Sequence, residues 1–152
     1  ELLERSPKEQ FSMLSYRVHA AKRSMFNTPP CFAIYVVGLV TRWLRETIGG
    51  LDAMAERNAA KAQRLYDAID GSGGFFEGHA DVGSRSLMNV TMRMSDRDLE
   101  PVFVADAAAA GLVGLKGHRM TGGLRASIYN SMPPEGVDAL VDFMAEFQRT
   151  RG

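Results

Sequence analysis

The sequence predicts an α+β (two-layer α/β) fold, preceded by a long interrupted helix. Three patterns carry this expectation. Residues 86–94, SLMNVTMRM, alternate with a period of two, as a strand with one covered face does. Residues 122–130, GGLRASIYN, alternate in the same way. Between and around them, apolar residues recur at three- and four-residue spacing, as they do on helices with a buried face.

The 152 residues suffice for one ordinary domain, or one domain with a piece of another. A hydrophobic fraction of 45% and a charged fraction of 24% belong to a globular chain rather than a disordered one. Lys+Arg and Asp+Glu both number 18, so the formal net charge is zero. Nucleic-acid binding, which usually brings a basic excess, gains no support. No apolar run reaches the roughly 18 residues of a membrane-spanning helix. The chain opens on Glu1 rather than Met, which predicts a processed chain, a trimmed one or a fragment. Its single cysteine, Cys31, excludes an internal disulfide and a Cys-rich metal site, and fits a reducing, cytoplasmic setting.

In chain order, residues 1–23 are mixed. Phe11, Met13 and Leu14, then Tyr16 and Val18, are read as short extended segments, or the first as a loop. After Pro30 a helical stripe runs through Phe32, Tyr35, Val36, Leu39, Val40, Trp43 and Leu44. Thr28 is the expected N-cap, with Pro29 in the first helical position. Gly49-Gly50 ends or kinks this helix. Leu51, Met54, Leu65 and Ile69 then continue a second helix to about Asp70.

Gly71-Ser72-Gly73-Gly74 is a loop, and Phe75-Phe76 begins a short strand. In the strand at 86–94, Met88, Val90, Met92 and Met94 point one way, and Leu87, Asn89, Thr91 and Arg93 the other. A helix starting between Ser95 and Glu100 ends at Gly111, with Pro101 in its first turn. LVGLKGH at 112–118 is a strand running into a loop. In the strand at 122–130, Leu124, Ala126 and Ile128 face one side, and Arg125, Ser127 and Tyr129 the other. Pro133-Pro134-Glu135 opens a last helix with Val137, Leu140, Val141, Met144 and Phe147 on one stripe.

The densest polar cluster is KGHRMTGGLR, residues 116–125, with Lys116, His118, Arg119 and Arg125 around three glycines. Glycine lets backbone approach closely or take positive φ, and arginine forks onto carboxylate or phosphate. Two arginines flanking a glycine turn can grip a ligand with two anionic ends; the other reading is a solvated loop whose arginines pair with surface acids. This is not a nucleotide-binding P-loop, since the Lys-Ser/Thr ending is missing. His19, His79 and His118 have no metal-ligand spacing, and no metal is expected. Trp43 and the methionines at 88, 92 and 94 belong to packed faces. Asn27 and Thr28, at a helix entrance, either cap that helix or offer hydrogen bonds to a phosphate; local propensity favours the cap.

Three blocks together resemble the phosphoserine aminotransferases: SMFNTPPCFAIYVVGLV at 24–40, RSLMNV at 85–90 and GLVGLKGHRMTGGLRASIYNSMP at 111–133. Order and spacing match, from about Tyr16 to Phe147, and the GHR–GG–RASIYN run is the most specific part. The resemblance implies the C-terminal part of a class V, fold type I pyridoxal-phosphate aminotransferase. Residues 1–30 would be a remnant of the large cofactor-binding domain, 31–70 the interrupted linking helix and 71–152 the α+β small domain. Such enzymes are homodimers with active sites at the subunit interface. They exchange an amino group between O-phospho-L-serine and 2-oxoglutarate, giving 3-phosphohydroxypyruvate and L-glutamate, in serine biosynthesis; some also serve pyridoxine biosynthesis.

By the same resemblance, Asn27 and Thr28 reach across the dimer to the phosphate of the pyridoxal 5'-phosphate cofactor. Arg125 holds the substrate α-carboxylate, and His118 and Arg119 recognise its phosphate or distal carboxylate. Family members run to more than twice this length. The Schiff-base lysine, the aromatic stacked on the cofactor ring and the aspartate at its pyridine nitrogen have no counterpart here. Lys8 and Lys22 have the wrong surroundings. Cys31 and Thr91 stand where threonine and proline are common. No residue of this chain is therefore assigned to the chemical step, and the isolated chain is expected to be inactive. The alternative is a non-enzymatic structural or interaction domain that keeps the small-domain fold. Without a large domain, the apolar helix from Phe32 to Trp43 has to be covered by oligomerisation or by rearranged packing; a homo-oligomer is expected, with neither nucleic acid nor membrane as partner.

Overall fold

The computed structural model describes residues 1–152, which divide into two compact units, Glu1–Thr47 and Ile48–Gly152.

In the first unit, two short helices, α1 (Leu2–Arg5) and α2 (Tyr16–Ala21), flank a single 3₁₀ turn at Ser12–Leu14. The extended segments expected around residues 11–18 are absent. Instead a Ser12–Leu14 turn closes on the Phe11 carbonyl, and α2 follows directly. Arg23 and Ser24 then both take left-handed backbone, at φ 50° and 63°, and turn the chain out of α2. Such conformations cost non-glycine residues about 1–3 kcal/mol each.

Helix α3 (Cys31–Trp43) carries the expected apolar stripe, but its start differs from expectation. Pro30 (φ −73°, ψ 73°) occupies the cap position, no side chain caps the helix, and Thr28 lies outside it. The reason is the Pro29 carbonyl, which accepts the Cys31 N–H at 2.8 Å and delays the first helical turn. A wide π turn at Leu44–Ile48 follows, and Gly49 and Gly50 at φ 97° and 112° break the helix.

In the second unit, α4 (Leu51–Asp70) buries Met54, Asn58, Lys61, Ala62, Leu65, Tyr66 and Ile69 along one stripe. Strands β1 (Phe76–Gly78), β2 (Asn89–Met94), β3 (Lys116–His118) and β4 (Gly122–Ser127) form one antiparallel sheet in the order β1-β2-β4-β3. Helices α5 (Leu99–Ala109) and α6 (Pro134–Arg151) complete the order strand, strand, helix, strand, strand, helix. Glycine at φ 86° ends α5 at Gly111, as expected.

The alternations resolve as the sequence predicts. Val90, Met92, Met94, Leu124, Ala126 and Ile128 are buried in one core with Leu65, Ile69, Phe103, Val137, Met144 and Phe147. Phe103 is fully buried and meets Phe76, Phe143 and Phe147 edge-on, with centroids 5.0–5.7 Å apart. Lys61 is the unusual member of this interior. Its ammonium donates to the carbonyls of Ile128, Tyr129 and Met132 at 3.2, 2.8 and 3.0 Å, tying α4 to the β4–α6 turn. Burial, and after it the Arg57 charge, lowers its pKa from the ordinary 10.5.

Candidate functional site

Because β2 and β4 alternate, burying one face against the helices leaves the other face to their polar residues. The register sets Asn89 opposite Ser127 and Thr91 opposite Arg125. Ser127 and Tyr129 hydroxyls both donate to the Asn89 side-chain oxygen, at 3.1 and 3.2 Å. The strand thus presents Arg125 from a stiff, paired backbone; its own N–H donates to the Leu115 carbonyl at 2.8 Å.

Beside it, the β3–β4 hairpin folds over three glycines whose identities are dictated by space and backbone. A Cβ on Gly117 would overlap the Gly122 and Gly123 carbonyl oxygens. Gly122 and Gly123 lie at φ 68° and 70°, and a Cβ on Gly123 would stand 2.8 Å from the Met92 carbonyl oxygen. The turn between the strands closes with the Thr121 N–H on the His118 carbonyl at 3.2 Å. The Met120 N–H donates to His118 Nδ1 at 3.1 Å, so in the neutral ring the proton sits on Nε2.

A narrow cleft of about 30 Å³ opens here, lined by residues that include His79, Arg93, His118, Thr121 and Arg125. His118 and Arg125 both line it. Arg119 sits at the exposed hairpin tip. Arg93 and His79 did not figure in the sequence reading of the site. The alternation of β2 had placed Arg93 on the polar face, but only the β2–β4 register sets that face beside Arg125.

The electrostatics are one-sided. None of Arg93, Lys116, Arg119 and Arg125 forms an ion pair, although Arg64, Arg85, Arg97, Arg149 and Arg151 of the same unit each find an acid. Arg125 Nε is buried and has no hydrogen-bond partner. A buried donor without an acceptor is costly unless something else fills the position. Neither arginine of the 116–125 cluster pairs with a surface acid, which is compatible with a solvated loop and with an anion grip.

Asn27 and Thr28 belong to the first unit and are exposed ahead of α3. The Asn27 amide donates to the Met13 sulfur at 3.0 Å. A thioether is a weak acceptor, so this amide remains available to a stronger one such as a phosphate oxygen. No lysine ammonium makes a hydrogen bond to either residue.

Comparison with known proteins matches the chain to one family. Residues 6–140 match the family model for Aminotransferase class-V. The phosphoserine aminotransferase of Desulfatibacillum aliphaticivorans is 57% identical over 152 residues, which cover all of this chain and 42% of that protein. The solved phosphoserine aminotransferase from Bacillus circulans subsp. alkalophilus superposes with a TM-score of 0.90 at 50% identity, over 99% of this chain and 42% of that one. The PLP-bound phosphoserine aminotransferase from Trichomonas vaginalis gives 0.80 at 38% identity, over 93% and 40%. The chain thus spans about two fifths of the length of these relatives. With the family model matching residues 6–140, the chain belongs to the class V aminotransferases.

Proposed function

We propose that this chain is the C-terminal, substrate-anion-binding part of a pyridoxal-phosphate-dependent phosphoserine aminotransferase. Residues 1–30 are on this reading a piece of the large domain, 31–70 the linking helix and 71–152 the small domain. The observation that carries it is Arg125, which lines the cleft with His118 on the polar sheet face and forms no ion pair.

Each residue's part follows from its donors. Arg125 offers a planar fork to the α-carboxylate of O-phospho-L-serine or L-glutamate. His118, with its proton on Nε2, donates to an anionic oxygen, and Arg119 adds a full positive charge at the exposed tip. Together they distinguish a dianionic substrate from a plain amino acid by giving each end its own grip. Asn27 and Thr28 are suited to accepting the cofactor phosphate in a site completed by a second subunit, because neither carries the charge to hold it alone. The cofactor, when bound, supplies the electron sink for exchange of the amino group. The chain's own residues bind and orient; the lysine that would move the proton is not among them. On this reading the isolated chain is inactive, supplying the grip without the reacting group.

Calorimetric titration of the 152-residue chain with O-phospho-L-serine tests this reading. Saturable binding that weakens about tenfold or more in Arg125→Ala, as loss of a charge-assisted hydrogen bond requires, is the expected result. Equal binding by both proteins overturns it. Transamination by the purified chain with added cofactor would overturn the assignment of inactivity.

A further inference from the structure

The cleft holds one arginine to which the anion-grip reading gives no part. Arg93 lies on β2, an inner strand of the sheet, on the same polar face as Thr91. Its nearest cross-strand acid is Glu77, opposite it in register, yet the two form no ion pair, and Glu77 lies 3.9 Å from Arg97 instead. The Arg93 stem runs over Gly123, where an added Cβ would come within 3.1 Å of Arg93 Cγ. Its guanidinium then donates to the Thr121 carbonyl at 3.0 Å.

Thr121 sits in the turn that presents His118 and Arg119, and that turn has few holds of its own. Strand β3 is three residues long and lies at the sheet edge. The turn's internal bonds, Thr121 N–H to the His118 carbonyl and Met120 N–H to His118 Nδ1, are local. The Arg93 bond is the side-chain hydrogen bond that reaches it from outside the hairpin. Gly123 leaves the space through which the stem passes, so Gly123 and Arg93 act together.

We infer that Arg93 is a positioning residue: from the inner strand it fixes the β3–β4 turn, and thereby sets the grip of His118 and Arg119 on the phosphate end of the ligand. This rests on the proposed reading of the site as an anion grip. Arg93 acts on this reading through the Thr121 carbonyl, to which its Nη2 donates, rather than through contact with the ligand.

The test uses the whole 152-residue chain as wild type, Arg93→Met and Arg93→Lys. Methionine keeps an apolar stem over Gly123 and removes the donor; lysine returns one. Amide hydrogen exchange read by NMR should quicken about tenfold at Met120 and Thr121 in Arg93→Met, and recover in part in Arg93→Lys. Exchange at Val90 and Leu124, in the β2–β4 ladder, should stay at wild-type rates, which also shows that the variant folds. O-phospho-L-serine should bind Arg93→Met about five- to tenfold more weakly than wild type. Unchanged exchange at Met120 and Thr121 overturns the positioning role. Faster exchange with unchanged O-phospho-L-serine affinity overturns its link to the grip. If wild type itself fails to bind O-phospho-L-serine, the anion-grip reading falls and takes that link with it, and the exchange rates still decide whether Arg93 holds the turn.

Discussion

The two units of this chain handle their apolar residues in opposite ways. In Ile48–Gly152 one sheet face and the helices close on a shared core, and Phe103, Leu65 and Val90 are fully buried. In Glu1–Thr47 the only buried residue is Ser15, and α3 leaves Phe32, Tyr35 and Val37 between 61% and 80% exposed. A helix with that many uncovered apolar groups is not at its preferred end state in water. The difference teaches that the second unit carries its own core, whereas the first buries almost nothing of its own. It matches the length comparison, in which the chain spans about two fifths of its relatives.

The comparison breaks most directly in the core. Phe103→Ala should cost about 3–5 kcal/mol by denaturant unfolding, because it empties a site that three other aromatic rings surround. Phe32→Ala should change the unfolding of the second unit by no more than about 0.5 kcal/mol, since nothing in this chain buries that ring. Its effect should instead appear in self-association: sedimentation at micromolar concentration should show a dimer in wild type and less of it in Phe32→Ala. A large stability loss from Phe32→Ala, or a purely monomeric wild type, would remove the contrast.

A second, smaller effect sharpens what holds the second unit together. Lys61→Met keeps apolar bulk but strands the carbonyls of Ile128, Tyr129 and Met132, and should cost about 2–4 kcal/mol. Chemical denaturation measures it, and a neutral outcome would mean that water satisfies those carbonyls.

The smallest effect lies at the surface. Arg85 donates to both Asp70 oxygens at 2.7 Å and stacks over the Tyr66 ring, 4.5 Å from its centroid. That hydrogen bonding holds the Asp70 pKa below its ordinary 3.8. A carboxylate whose folded pKa lies below its unfolded one adds stability above the unfolded value, and loses it as pH falls through the folded one. Arg85→Ala should therefore return the Asp70 titration, followed by NMR, toward 3.8 and flatten the acid limb of the stability profile. An Asp70 that titrates identically in both proteins would show the pair to be idle.

Much of this was legible from residue order. The second helix of the interrupted pair runs from Leu51 to Asp70 as its periodicity predicted, and the two alternating strands bury the residues expected. Local signals failed where a neighbour's geometry intervened. Thr28 has cap propensity, but the Pro29 carbonyl captured the Cys31 N–H and moved the helix start past it. Residues 11–18 looked extended because their apolar spacing is short; turns of one or two windings use the same spacing.

By itself the sequence determined the alternation that puts Arg125 on a polar strand face, the glycines of the 117–123 hairpin and the blocks that mark the family. These are properties of neighbouring residues, fixed by steric and hydropathic periodicity along the chain. Only the tertiary structure decided that Arg93, about thirty residues upstream of Arg125, shares its cleft and bonds to Thr121. It also decided that none of the cluster's cations meets an acid. Which strand lies beside which depends on burying both apolar faces in one core, and that is a property of the whole fold rather than of any segment.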